Sequence, residues 1–312
     1  MKNYILLSSV ILAAIFYGCT KTTGINSTND VHRVTFSIEP FRSIEEDGSL
    51  PTKTGIDDDS GAFSWAQGDT VGIYPDAGSQ VYFTVAAGAS AGSAEFDGGG
   101  WEFKATSSYY SYYPFIGDIY LDRANIPVSY QGQRQAGATD FSHIGKCDYM
   151  YTSATQAESG VLQFIYRHLS CLIRLRLTPP EGTYTKLAIT APSQAFVLKG
   201  HYDLTAAQPT IAGDTYGNQL VVDLESVTTT AAGQEFVVYL VSAPVNLQGV
   251  EFTVSLLNAE RKEYQCKKTP SYSYEAGNRY KLGCTSFTEV PQSMGLIIDD
   301  WGDGGNIGGD AE

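Results

Sequence analysis

The residues best placed to do chemistry are Gly18-Cys19, which end the apolar stretch Tyr4 to Tyr17 and precede the polar run Thr20-Lys21-Thr22-Thr23. A short basic start at Met1-Lys2-Asn3, an apolar core too brief to span a bilayer comfortably, and a small residue before Cys describe a bacterial lipoprotein signal. The chemistry is acylation: residues 1–18 are a signal peptide, and Cys19 becomes the lipidated, palmitate-bearing first residue. Phe16 and Tyr17 depart from the usual lipobox, which prefers Leu, Val or Ile and then a small residue. The alternative is an uncleaved anchor or an ordinary secretory signal in which Cys19 is incidental, and either still exports the chain. Each buried CH₂ contributes about 0.8 kcal/mol in a membrane, so a multiply acylated Cys19 holds the chain on the membrane until something cuts it off.

Other reactive residues point to little. Asp57-Asp58-Asp59 and Asp299-Asp300-Trp301-Gly302-Asp303-Gly304 have the carboxylate density of a calcium loop, but neither has the twelve-residue frame with a closing Glu. Beyond Cys19 there are Cys147, Cys171, Cys266 and Cys284, with no C-x-x-C pair and no His at ligand spacing, so no metal site is expected. Cys266 and Cys284 could meet across a hairpin containing Pro270 and Gly277. The better reading is buried free thiols, because Cys171 is in phase with Leu169, Ile173, Leu175 and Leu177, and Cys284 with Tyr280 and Leu282. No G-x-S-x-G or comparable context supports a catalytic triad, so the chain is read as a non-enzyme without cofactor. His168, a lone histidine within a strand, reads as a core or rim residue.

These residues must be carried by a β-protein. The 312 residues are rich in Gly, Tyr, Thr, Ser and Val, only 17% are charged, and the net charge is −14. That balance excludes nucleic acid as a partner on electrostatic grounds, and the length allows two domains with their own cores.

Residues 19–32 read as a tether. Val34-Thr35-Phe36-Ser37-Ile38 alternates apolar and polar, so a first strand begins near Arg33, shows Val34, Phe36 and Ile38 to a core, and stops by Pro40. The unpatterned stretch behind it exposes Arg42 and Lys53 to a trypsin-like protease. Short strands with Gly-rich punctuation follow, from Phe63 to Trp65, Thr70 to Tyr74, Val81 to Val85 and Ser107 to Tyr113 onward, which argues for sandwiches and not for βαβ units. A second series runs from Gln163 to Leu177 and continues to Gly283. The expected domains are 33–160 and 161–290, followed by a tail, 291–312. In the tail the apolar Met294-Gly295-Leu296-Ile297-Ile298, with Trp301 and Ile307 beyond it, wants a groove.

The chain resembles the fimbrillin family of Bacteroidetes, the lipoprotein pilins that include FimA-like and Mfa-like proteins. The likeness is carried by Cys19, by the strand Val34 to Phe41, and by Trp65-Ala66-Gln67-Gly68-Asp69-Thr70-Val71-Gly72, which fits the family's W-x-x-G-D motif. It extends to Phe164, His168 and Leu172, and to Tyr274-Glu275-Ala276-Gly277-Asn278-Arg279-Tyr280-Lys281-Leu282. The resemblance implies an all-β fold of two transthyretin-like β-sandwich domains in tandem. It further implies an outer-membrane lipoprotein precursor whose first strand is removed by a trypsin-like protease. The opened groove then accepts the C-terminal donor tail of another fimbrial subunit, with Leu296, Ile297, Ile298, Trp301 and Ile307 as donor residues. Of the two basic positions, Arg42 is slightly preferred over Lys53 because it lies directly behind the strand.

The competing reading is a monomeric surface lipoprotein that binds a glycan or a host receptor through Tyr109-Tyr110-Ser111-Tyr112-Tyr113 and Tyr272-Ser273-Tyr274. A third keeps the fimbria but makes the chain an accessory, anchor or tip subunit.

Overall fold

Period-two alternation decides which side chains meet. In Val161–His168, Leu162, Phe164 and Tyr166 fall on one face and are buried, while Gln163, Ile165 and Arg167 point outward. A computed structural model describes residues 21–22, 33–45, 64–86, 94–104, 107–155, 161–231 and 233–291.

That strand belongs to a sheet of eight. Its order is Lys21–Thr22, Arg33–Ile38, Val161–His168, Met150–Thr155, Tyr109–Tyr113, Thr70–Pro75, Val81–Val85 and Phe96–Asp97. Every pairing is antiparallel except that of Arg33–Ile38 with Val161–His168. Sheet twist curls the ends toward each other, and Phe36 near one end stacks on Phe96 at the other with ring centroids 4.3 Å apart. The enclosed core is largely aromatic.

A second core lies between two further sheets. One is four-stranded, in the order Phe236–Ser242, Cys171–Leu177, Asn278–Cys284, Arg42–Ile44. The other is six-stranded, in the order Thr288–Val290, Glu263–Lys268, Phe252–Asn258, Gly182–Thr190, Gln219–Thr229, Gln133–Ala136. Ile173, Leu175 and Leu177 from the first share a core with Leu187, Ile189, Val254 and Leu256 from the second. A small sheet of Ala212–Gly217, Phe196–Tyr202 and Ile126–Ser129, and the one-turn helix His143–Cys147, complete the described residues. The fold is all-β, with two sandwich-type units in tandem, as expected.

The chain passes between the units after His168, not at the 160 boundary expected from sequence. Leu162, Phe164 and Tyr166 complete the aromatic core of the first unit, and from Leu169 the buried side chains join the second. The segment from Ile126 to Cys147 also crosses early, because Ile126–Ser129 pairs with Phe196–Tyr202 and Gln133–Ala136 with Gln219–Thr229.

The W-x-x-G-D motif is a fold mark. Trp65 packs edge-on against Phe96, Tyr113 and Tyr166. Gly68 has φ +91°, which a side chain would resist, and Asp69 accepts from the Ala66 amide at 2.7 Å and the Tyr113 hydroxyl at 2.9 Å.

Candidate functional site

The segment from Arg33 to Glu45 is bonded to both units. In the first, Arg33–Ile38 pairs in parallel with Val161–Tyr166, Phe36 lying opposite Phe164. Phe36 is 5% exposed and stacks on Phe164 as well as Phe96, while Val34 and Ile38 are partly buried against the same core. Val34, Phe36 and Ile38 thus all face one core.

Glu39 ends the ladder, its N–H donating to the Tyr166 carbonyl at 2.9 Å. Pro40 has no N–H to continue it, and the backbone turns away. Phe41 is buried again, its ring stacked on the His168 imidazole at 3.7 Å. His168 lies 2.7 Å through Nε2 from the Glu39 carbonyl and 2.7 Å through Nδ1 from Asp148 Oδ2. A carbonyl only accepts, so Nε2 carries a proton, and the short Nδ1 contact places a second one between imidazole and carboxylate. Burial by itself would lower the His168 pKa. The Asp148 charge and hydrogen bond, with the Glu39 carbonyl, outweigh burial and raise it. Outside this contact, Glu39 pairs with Arg167 at 3.0 Å.

From Arg42 the segment enters the second unit. The Arg42 N–H donates to the Gly277 carbonyl at 2.9 Å, and Arg42–Ile44 pairs in parallel with Asn278–Tyr280. The Arg42 side chain is exposed. Ser43 Oγ accepts from Arg279 Nη2 at 2.7 Å, and Glu45 meets Lys281 at 3.1 Å. One stretch of chain thus straps the edges of two sheets.

The other residues singled out by sequence divide clearly. Cys19, Lys53, Leu296, Ile297, Ile298, Trp301 and Ile307 lie outside the described residues, as do both acidic loops and residues 1–18. The tyrosine platform is corrected: Tyr109, Tyr112, Tyr113 and Tyr274 are each 3% exposed or less. The strand Tyr109–Tyr113 is covered on both faces, Tyr109 and Tyr113 entering the first core and Tyr112 the second. Cys147, Cys171, Cys266 and Cys284 are buried free thiols, and burial pushes Cys147 up to about 11 and Cys171 up to about 12. Among the described residues no group of three or more His, Cys, Asp or Glu could hold a metal ion, and no helix is long and apolar enough to cross a membrane. Sequence reading did not find Asp148, Arg279 or the strand Arg42–Ile44, all of which owe their role to distant partners.

Comparison with known proteins agrees with this architecture. A family model described as fimbrillin-like matches residues 52–301, so the chain belongs to the fimbrillin-like family. No curated protein matches it by sequence. A candidate cell adhesion protein from Bacteroides ovatus has the same fold at 12% identity, with a TM-score of 0.50 over 82% of this chain and 96% of that one. A candidate cell adhesion protein from Bacteroides uniformis aligns at 14% identity and a TM-score of 0.49, over 74% of this chain and 92% of that one. The tip fimbrial protein of Porphyromonas gingivalis aligns at 10% identity and a TM-score of 0.39, over 72% and 94%.

Proposed function

We propose that the chain is a structural subunit of a cell-surface fimbria that supports adhesion. In this reading it is exported as an outer-membrane lipoprotein precursor through Cys19 and assembled by proteolytic removal of its first strand and donor-strand exchange. The observation that carries the reading is the strap. Phe36 fills a core position in a strand that is followed in sequence by two basic residues, the exposed Arg42 and then Lys53, at which a trypsin-like protease would cut.

Removal of the strap exposes the row of N–H and C=O groups on Val161–Tyr166 and an aromatic trough. Each buried polar group left unpaired costs about 1–3 kcal/mol. A strand from another subunit offsets that cost by pairing with the edge and filling the trough with alternate side chains. Donor and acceptor lie at different places on one subunit, so the contact is heterologous and propagates into a filament. The apolar Leu296, Ile297 and Ile298, with Trp301 and Ile307, make the tail the donor and the chain a stalk subunit, its partners being further fimbrial subunits.

The test incubates purified precursor with a trypsin-like protease and looks for SDS-resistant ladders, then repeats this with the chain truncated at Pro291. Ladders that need both the cut and the tail support the reading. Cleaved protein that stays monomeric with its tail intact overturns it.

A further inference from the structure

We propose that residues 294–303 of a second copy of this chain take the places of residues 34–43 in the groove, in the same direction, with Asp303 forming an ion pair with Arg279. The assignment rests on the strand-exchange reading above and supplies its register.

The first support is a buried charge. Arg279 is 2% exposed, its Nη2 meets the hydroxyl of Ser43, its Nε meets no acceptor, and no described carboxylate lies within ion-pair distance of it. A buried guanidinium held by a hydroxyl is poorly compensated, so a strand that brought a carboxylate to the place of Ser43 would fit this edge better than the strap does. The occupant sought is therefore an extended segment with an acid five residues after the last apolar residue of its groove-filling set.

The tail has that spacing. With Leu296 in the place of Phe36, Ile298 takes that of Ile38, Trp301 that of Phe41 against the His168 ring, and Asp303 that of Ser43. Met294 then takes the place of Val34. Two of the three outward positions also match, the third placing Gly295 at Thr35. Asp299 falls where Glu39 pairs with Arg167, and Ile297 falls at Ser37, whose register partner Ile165 is 37% exposed in the strapped chain. A one-residue slip sends Ile297 into the trough and moves Trp301 and Asp303 off His168 and Arg279.

The test uses the full chain, cleaved by a trypsin-like protease, with yield and dissociation of SDS-resistant ladders as readout. Leu296→Ser, Ile298→Ser and Trp301→Ser are expected to weaken the joint by about thirtyfold or more, and Ile297→Ser by only about threefold. Asp303→Asn should weaken it by roughly thirtyfold, Asp303→Lys should abolish it, and in an Arg279→Met background Asp303→Asn should cost almost nothing. The Asp303 variants change only the tail, so the proposal stands or falls on them even where Arg279→Met fails to fold. Severe loss from Ile297→Ser with silent Leu296→Ser and Ile298→Ser, or an indifferent Asp303→Lys, overturns the register while the donor tail survives. Unchanged ladders from the chain truncated at Pro291 overturn the strand-exchange reading itself. A tail that fills its own groove, seen as a cleaved but stable monomer, overturns the assignment to a second copy.

Discussion

Phe36 and Phe164 lie face to face across the parallel edge of the first sheet, ring centroids 5.1 Å apart and planes 10° from parallel. One ring belongs to the strap and the other to the body, so this contact measures how firmly the strap is seated. Phe36→Ala removes the ring from a site closed by Phe83, Phe96 and Phe164, and the cavity cannot collapse without moving the sheet. The expected loss is about 3–5 kcal/mol of unfolding free energy, measured by denaturant titration of the uncleaved chain. Val34→Ala, at a partly buried position, should cost clearly less.

The second relationship is electrostatic. Only the doubly protonated imidazole can donate to the Glu39 carbonyl through Nε2 and to Asp148 through Nδ1 at the same time. The His168 pKa is raised above 6.5, so its contribution is full below the ordinary imidazole value and is lost as pH rises through the folded value. Burial raises the Asp148 pKa more than His168 lowers it, and a raised carboxyl likewise loses stability as pH rises. Both signs agree. Amide exchange at Glu39 and Arg42, corrected for intrinsic rates, should accelerate as pH rises past the ordinary imidazole range, and His168→Gln should flatten that dependence. A profile unchanged by His168→Gln would show that the imidazole does not hold the strap.

How much of this was legible in the sequence depended on whether partners are local. Val34, Phe36 and Ile38 announce their inward face through alternation, and the structure puts all three against one core. The same alternation in Val161–His168 identifies a strand but not its sheet, because its partner Arg33–Ile38 is paired in parallel from far up the chain. Tyr109-Tyr110-Ser111-Tyr112-Tyr113 has no polar face to reveal that both sides are covered, so it reads as a platform when it is a wall between two cores. The polar contacts were the least legible. Arg279 and Ser43 are 236 residues apart, and His168 and Glu39 are 129 apart. No local pattern relates them.

Gly72, the second glycine after Trp65 in the family motif, is fixed by packing. A Cβ built there would lie 2.2 Å from the Tyr112 ring and 2.4 Å from Gln80 Nε2, inside the hydrogen bond between those two side chains. Gly72→Ala must displace a ring that is 1% exposed. The expected cost is about 1–3 kcal/mol, read as a lowered denaturation midpoint, and Tyr112→Leu in the same chain should recover part of it.

The remaining prediction concerns the cut. Arg42 is exposed, but its N–H is bonded to Gly277 and it opens a strand paired with Asn278–Tyr280, so a protease must first peel that strand away. Cleavage after Arg42 would also leave Ser43 and Ile44 on the second sheet, covering Arg279. Cleavage after Lys53 releases the strap from both sheets at once. The preference drawn from sequence therefore shifts from Arg42 to Lys53. Lys53→Gln should block ladder formation while Arg42→Gln leaves it largely intact, with the new N-terminus read by mass spectrometry at Thr54. Ladders that persist in Lys53→Gln and vanish in Arg42→Gln would show that opening the first sheet alone suffices, and that the edge at Arg279 takes no part in the joint.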